Sequence, residues 1–322
     1  MKVLIHSNQL DIRGTGNAMY AYAKYARDIW GCDIHFAYDT SSCWTSPLGI
    51  EYVKNNFDWS QVIAYSHIDE VSDYAKNHNI DFAYMVKSGE WDGKLIKNCR
   101  VGVHAVFRSC EPHGDAYAYI SEWLTEVMSG GALPYVSYPA HVVPATRNLR
   151  DEWNIPAGAF VFGRHGGEGQ FDLQMVHETI WQLVHTNPNW YFVFMNTDQF
   201  CDDHPQIIHL PPTMDITRKC NFIASCDAMI HGREMGESFG MAICEFLAMG
   251  KPVVSYRSGG DQNHTRMINC PDLMYSDPQS LVNAMRYALD SRHETTLYKD
   301  KVRQYEIEHI METQFKPIFL GT

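Results

Sequence analysis

Short apolar runs recur along this chain, separated by amphipathic stretches and polar turns, the alternation that α/β proteins leave in a sequence. Val3 to His6, Ile34 to Tyr38, Val62 to Tyr65, Phe82 to Val86, Val101 to Ala105 and Ala116 to Ile120 read as strands. Between them, helices are expected over 18–30, 47–57, 68–79, 91–98 and from Glu122, capped by Ser121, to about Met128. In the first of these, Ala18, Ala21, Tyr22, Tyr25, Ala26 and Ile29 build one face. Strands buried on both sides of a mostly parallel sheet are apolar in this unbroken way, so helices on both faces follow.

After a short strand at Tyr135 to Tyr138 the pattern is interrupted by Pro139, Pro144 and a charged segment, which places a linker over Pro139 to Asn154. It then restarts with strands over 159–163, 190–195 and 206–210 and helices over 172–186 and 215–225. Residues 277–320 read as helical up to Pro317, with a break at Arg292 and His293. A length of 322 residues suits two domains, expected here as 1–144 and 145–305.

The stretch from Cys226 to Gly260 is the most legible: a buried strand at Ala228 to His231, a glycine-bearing turn from Gly232 to Ser238, a helix from Phe239 to Met249 and a second strand from Pro252 to Tyr256. Gly250 stands where a left-handed residue ends a helix, and Pro252 follows. Ser238 is placed to cap the start, and Gly236 and Gly240 allow close approach of backbone to ligand. A helix N-terminus at the end of a parallel strand favours phosphate. The turn also holds Glu237, and the helix holds Glu245 among Ile243, Cys244, Phe246 and Leu247. A charge so placed needs a partner or a ligand.

Composition narrows the choices. With 45% hydrophobic and 20% charged residues the chain is globular, and a net charge of −12 speaks against nucleic acid as a partner. No signal peptide or membrane span is read, and nine scattered cysteines without a Cys-x-x-Cys fit free thiols in a cytoplasmic protein.

Gly14-Thr15-Gly16 is followed by Asn17, Ala18 and Met19, so the dinucleotide fingerprint lacks its third glycine. No Walker loop and no Asp-x-Asp occurs, and no metal is expected. What remains is Arg164 at the end of a strand, suited to a diphosphate or, alternatively, to an ion pair with Glu168 or Asp172. The two glutamates are too far apart along the chain to act as an acid–base pair, and each suits hydroxyls of an extended ligand.

The stretch HGREMGESFGMAICEFLAMGKPVVSYRSGG, with Glu237 and Glu245 separated by seven residues, resembles the signature of retaining glycosyltransferases of the GT-B fold, above all glycosyltransferase family 4. The resemblance covers about 159–265. It implies two doubly wound Rossmann-like domains facing across a crevice, an acceptor-side domain first and a nucleotide-sugar domain second, with a C-terminal helix over about 306–322 returning to the first. It implies that Glu245 binds the ribose, that Glu237 contacts the donor sugar, that the amides of Ser238, Phe239 and Gly240 face sugar or phosphate, and that Arg164 faces the diphosphate. The family's lysine after that arginine is replaced by Gly169 and Gln170, leaving Arg233, Arg257 and Lys251 as substitutes. By the same resemblance His104, or failing that His113, lies near the reacting sugar, and Gly14, Gly16 and Asn17 form a first loop against donor or acceptor.

The expected activity is metal-independent transfer of a sugar from a nucleotide-diphosphate sugar to an acceptor hydroxyl, on a glycan, glycolipid or glycoprotein, with no further cofactor. An epimerase on the same fold and a sugar-nucleotide-binding protein without turnover are the alternatives.

Overall fold

A computed structural model describes residues 1–321. The chain divides into two compact units, one formed by Met1–Pro139 with Tyr305–Thr322 and the other by Ala140–Gln304.

In the first unit, β1 (Lys2–His6), β2 (Asp33–Asp39), β3 (Val62–Tyr65), β4 (Phe82–Lys87), β5 (Arg100–Ala105) and β6 (Ala116–Tyr119) form one sheet in the order β3-β2-β1-β4-β5-β6. Every pairing in it is parallel. The helices are α1 (Gly14–Asp28), α2 (Pro47–Asn56), α3 (Ile68–His78) and α4 (Glu122–Ser129), the last capped by Ser121 as its sequence predicts. Two expected elements are missing. The 91–98 segment is a loop, because the Asp92 carboxylate accepts the Lys94 amide at 3.0 Å and Gly93 and Asn98 take left-handed conformations. Tyr135–Tyr138 contributes only a bridge from Tyr135 to Tyr119.

The end of the chain completes this unit. After α11 (Ile307–Ile310) the backbone winds as a π-helix over Met311–Leu320, passing through Pro317, where the sequence reading ended the helix. Phe315 and Phe319 are buried, with ring centroids 5.5 and 5.7 Å from Tyr84, and Phe315 lies 5.2 Å from Tyr22.

The second unit contains β7 (Phe160–His165), β8 (Trp190–Met195), β9 (Ile207–Leu210), β10 (Ala228–His231), β12 (Val253–Tyr256) and β14 (Met274–Tyr275), in the order β14-β12-β10-β7-β8-β9. Counted from its own first strand, this is the first sheet's order read backwards, so the same doubly wound topology occurs twice. A separate pair, β11 (Gly236–Glu237) and β13 (Asp261–Gln262), lies parallel beside it. Its helices are α5 (Gln174–Thr186), α6 (Ile216–Ser225), α7 (Met241–Ala248), α8 (Asn263–Ile268), α9 (Pro278–Ser291) and α10 (Thr295–Asp300). Arg150 fastens the entering segment, donating to Asp227 at 2.7 Å and to the carbonyls of Ser225 and Ala159 at 2.8 and 3.1 Å. Among the described residues, no helix is long and apolar enough to cross a membrane.

Candidate functional site

The order of the second sheet reverses between β7 and β10, and in a doubly wound sheet such a point is where a ligand is received, beyond the carboxyl ends of the strands. Arg164 and His165 close β7, and His231 closes β10.

Arg164 is 3% exposed. Its guanidinium donates to the Thr197 hydroxyl and, at 3.1 Å, to the Gly167 carbonyl, and lies 5.3 Å from the centroid of the Phe171 ring. Neither Glu168 nor Asp172 takes a hydrogen bond from it; the Asp172 carboxylate instead accepts the Glu234 amide at 2.7 Å. Burial lowers its pKa to about 10, with Glu237 and Asp172 pulling the other way, so it remains a cation at neutral pH.

Glu237 is held by the small β11–β13 ladder. Gly236, before it, has φ +78°, and a Cβ at that position would lie 2.0 Å from the Asp261 carbonyl oxygen. One Glu237 oxygen receives His231 Nε2 at 3.2 Å and the other receives Arg233 Nη1 at 2.9 Å. A carboxylate only accepts, so the His231 proton facing it is on Nε2, while Nδ1 meets the Ser255 hydroxyl at 2.9 Å. Burial works to raise the Glu237 pKa, but His231 and Arg233 outweigh it and the net shift is downward. The Glu237 amide donates to His264 Nδ1 at 3.3 Å, and His264 Nε2 donates to the Tyr256 carbonyl at 2.9 Å. Burial first, then the charge of His231, lowers the His264 pKa to about 4, in keeping with a neutral ring that accepts on one side and donates on the other.

The helix after this turn starts later than its sequence suggests. Gly240, with φ +94°, is the N-cap of α7, and no side chain caps it, so Ser238 does not take that role. Phe239 is buried, and its carbonyl accepts from Asn263 at 2.7 Å. Gly250 takes the left-handed conformation expected of it, at φ +75°.

Glu245, 1% exposed, has the partner that its apolar neighbours call for: Lys219 Nζ, from α6, bonds one carboxylate oxygen. His165 Nε2 lies 3.2 Å from the other oxygen, off the line of a hydrogen bond, with its ring stacked 5.7 Å from Phe246. Burial opposes ionisation of Glu245, yet Lys219 and His165 together bring its pKa down to about 2. Burial also lowers the pKa of His165, so Lys219 is the cation that balances the carboxylate. The two glutamates share no partner, as their separation along the chain predicts.

Of the three substitute cations, Lys251 donates to the Ala224 carbonyl at 3.2 Å and Arg257 is exposed, whereas Arg233 is bonded to Glu237. Lys219, Thr197, His165, His231 and His264 went unmarked in the sequence. His165 and His231 had a signal, since each ends a strand facing the switch point. Lys219 had none, because nothing in the spacing of α6 says that it packs beside α7.

The remaining expected residues belong to the first unit. Gly14, Gly16 and Asn17 form the first turn of α1 rather than a loop before it. A Cβ at Gly16 would lie 2.5 Å from the Asp11 carbonyl oxygen, and Asn17 donates to the Ile12 carbonyl at 3.1 Å, so these residues serve the packing of that turn. His104 is 0% exposed, with Nδ1 2.7 Å from the Tyr84 hydroxyl and Nε2 2.8 and 3.3 Å from the carbonyls of Val136 and Tyr119. With both nitrogens engaged inside the core it has none left for a sugar hydroxyl, which corrects the expectation that it reaches the donor. His113 sits in a loop, Nδ1 donating to the Glu111 carbonyl at 2.6 Å, its ring 5.1 Å from Trp91.

Buried histidines make stability depend on pH. Burial lowers the pKa of His6 to about 3 and of His104 to about 4. The unfolded chain therefore binds these protons more readily, and the stability they confer is complete above the ordinary histidine pKa and lost as pH falls below it. Urea unfolding between about pH 7.5 and about pH 5 is expected to lose roughly 2 kcal/mol per histidine, and His104→Gln should make that fall shallower.

Neither a protein-family model nor a curated protein sequence matches the chain. Solved structures do. Anabaena Alr3699/HepE in complex with UDP-glucose aligns over 98% of this chain and 100% of its own, with a TM-score of 0.73 at 14% identity. A glycosyltransferase from Rickettsia africae ESF-5 aligns over 100% of this chain and 99% of its own, with a TM-score of 0.70 at 12% identity. A Listeria monocytogenes protein described as a UDP-N-acetylglucosamine 2-epimerase aligns over 100% and 97%, with a TM-score of 0.63 at 10% identity. The likeness is one of fold: two Rossmann-like units with six-stranded parallel sheets, the GT-B fold.

Proposed function

We propose that this protein is a glycosyltransferase that moves a sugar from a nucleotide-diphosphate sugar to an acceptor hydroxyl, with retention at the anomeric carbon and without a metal. The observation that carries the reading is the pair of ionised carboxylates beside the switch point, Glu245 balanced by Lys219 and Glu237 by Arg233 and His231, with the buried Arg164 cation near Glu237. Glu245 accepts the ribose hydroxyls through lone pairs beyond its present partners, and Glu237 accepts those of the donor sugar. Arg164, with the amides of Ser238, Phe239 and Gly240, meets the charge that develops on the departing diphosphate, a fixed electrostatic arrangement of the kind that stabilises transition states. The HepE structure, which holds UDP-glucose, makes a UDP-sugar the first donor to try.

The test is incubation with UDP-, GDP-, ADP- and TDP-sugars, with and without acceptors and EDTA. Acceptor-dependent release of nucleoside diphosphate that survives EDTA supports the proposal, and loss of release in EDTA overturns the metal-free route. An epimerised donor supports the second reading, which the Listeria likeness keeps in view. Arg164→Gln is expected to lower turnover per folded molecule by roughly 100- to 1,000-fold, beyond the roughly 1–3 kcal/mol of stability lost with its bonds to Thr197 and Gly167; a loss below tenfold in steady-state kinetics would remove Arg164 from the mechanism.

A further inference from the structure

Arg233 and Glu237 form an ion pair at 2.9 Å, with their side chains 19% and 20% exposed, at the turn that leaves β10. Two features make this pair replaceable. Glu237 is anchored a second time, through its other oxygen, by His231 at 3.2 Å and by its amide to His264, so its position survives the departure of Arg233. Arg233 has no other hydrogen-bond acceptor among the described residues, and the side chain is open enough for a ligand to reach.

The neighbouring cation is different. Arg164 is buried and already committed to Thr197 and Gly167. Its single fixed charge falls short of a diphosphate, which carries between two and three negative charges near neutral pH. Lys219 is committed to Glu245 and Lys251 to Ala224. Arg233 is thus the cation near Glu237 that has only one, exchangeable partner. Arg164 and Arg233 also stand close enough to repel each other, with Glu237 acting on Arg164 from the other sign. An incoming polyanion relieves that repulsion.

We propose that Arg233 is a second phosphate-binding cation held by Glu237 until a nucleoside diphosphate arrives, when Arg233 passes to the phosphate oxygens and Glu237 is released to the donor sugar. The inference rests on the nucleotide-sugar reading above. It gives one event two effects: the ligand's phosphates draw away the cation that occupies the carboxylate its sugar needs. A nucleoside monophosphate, with no second phosphate to attract Arg233, leaves the pair closed.

Isothermal titration of UDP and UMP into the wild type, Arg233→Gln, Glu237→Gln and the double variant tests the exchange. Arg233→Gln is expected to weaken UDP binding roughly tenfold or more, the usual effect of one charge-assisted contact, and to leave UMP unchanged. Glu237→Gln is expected to bind UDP several-fold more tightly, because Arg233 is no longer held, and the gain should vanish in the double variant. A purely structural role for the pair gives the opposite sign for Glu237→Gln. The proposal is overturned if Arg233→Gln keeps the UDP to UMP preference within twofold, or if the gain in Glu237→Gln persists without Arg233. A wild type that binds none of UDP, GDP, ADP or TDP instead removes the nucleotide-sugar reading itself, and the exchange with it.

Discussion

Glu245→Ala is expected to destabilise the protein by roughly 3–5 kcal/mol and to abolish nucleotide binding, because it leaves Lys219 as an unbalanced cation in a buried setting. The two effects have separate causes and can be separated. Adding Lys219→Met removes the stranded charge, so the double variant should recover much of the lost stability in a guanidinium titration while nucleotide binding stays absent. Recovery of both would mean that the carboxylate is structural and has no part in binding. The pH dependence has the sign of a depressed carboxylate. Glu245 has a folded-state pKa of about 2, below its unfolded value, so its stabilisation is complete above the ordinary glutamate pKa and lost as pH falls toward about 2. The shift corresponds to roughly 3 kcal/mol, and Glu245→Gln unfolding curves should converge on those of the wild type in that acid range.

The second large effect is expected at Gly236→Ala. The residue combines a left-handed φ of +78° with a backbone oxygen 2.0 Å from where the new Cβ would stand, and backbone cannot swing aside as a side chain does. The Gly236↔Asp261 and Glu237↔Gln262 register would have to part, at a cost of about 3 kcal/mol or more. Turnover should disappear with it, since that ladder sets the position of Glu237. Gly31→Ala is the control. Its φ is similar, +66°, but no atom lies within 4 Å of the new Cβ, so only the conformational strain of about 1–2 kcal/mol applies. Equal unfolding midpoints for the two variants would show that the close approach of Asp261 has no energetic weight.

All the strands of the first sheet and five of the six in the second were legible because buried parallel strands are apolar without interruption, and Phe160 to Gly163 or Ala228 to Ile230 admit few other readings, whereas the two-residue β14 left no such run. Gly250 at the end of α7 was legible for a similar reason, since local backbone geometry dictates it. What the sequence withheld depends on partners distant along the chain. His104 looked like a ligand contact, but the carbonyls that engage it belong to Tyr119 and Val136, 15 and 32 residues further on. Gly14 to Asn17 reads as a loop by local propensity, yet it winds into α1 because Asp11 takes the Arg13 amide at 3.1 Å and fills the space beside Gly16. Lys219 reaches Glu245 across 26 positions, and helix packing of that kind leaves no periodic trace.

The route of the chain through its two units bears on how the protein is made. The second unit is one uninterrupted segment, Ala140–Gln304, and has all its residues as soon as Gln304 has been synthesised. The first unit begins earlier but lacks Phe315 and Phe319, whose rings close the space around Tyr22, Tyr84 and Gly102. On a ribosome that releases the chain from its amino end, the earlier unit is therefore sealed after the later one. While it waits, the apolar wall that those two rings cover stands exposed, and transiently exposed surface of that kind is what makes a nascent chain prone to aggregate.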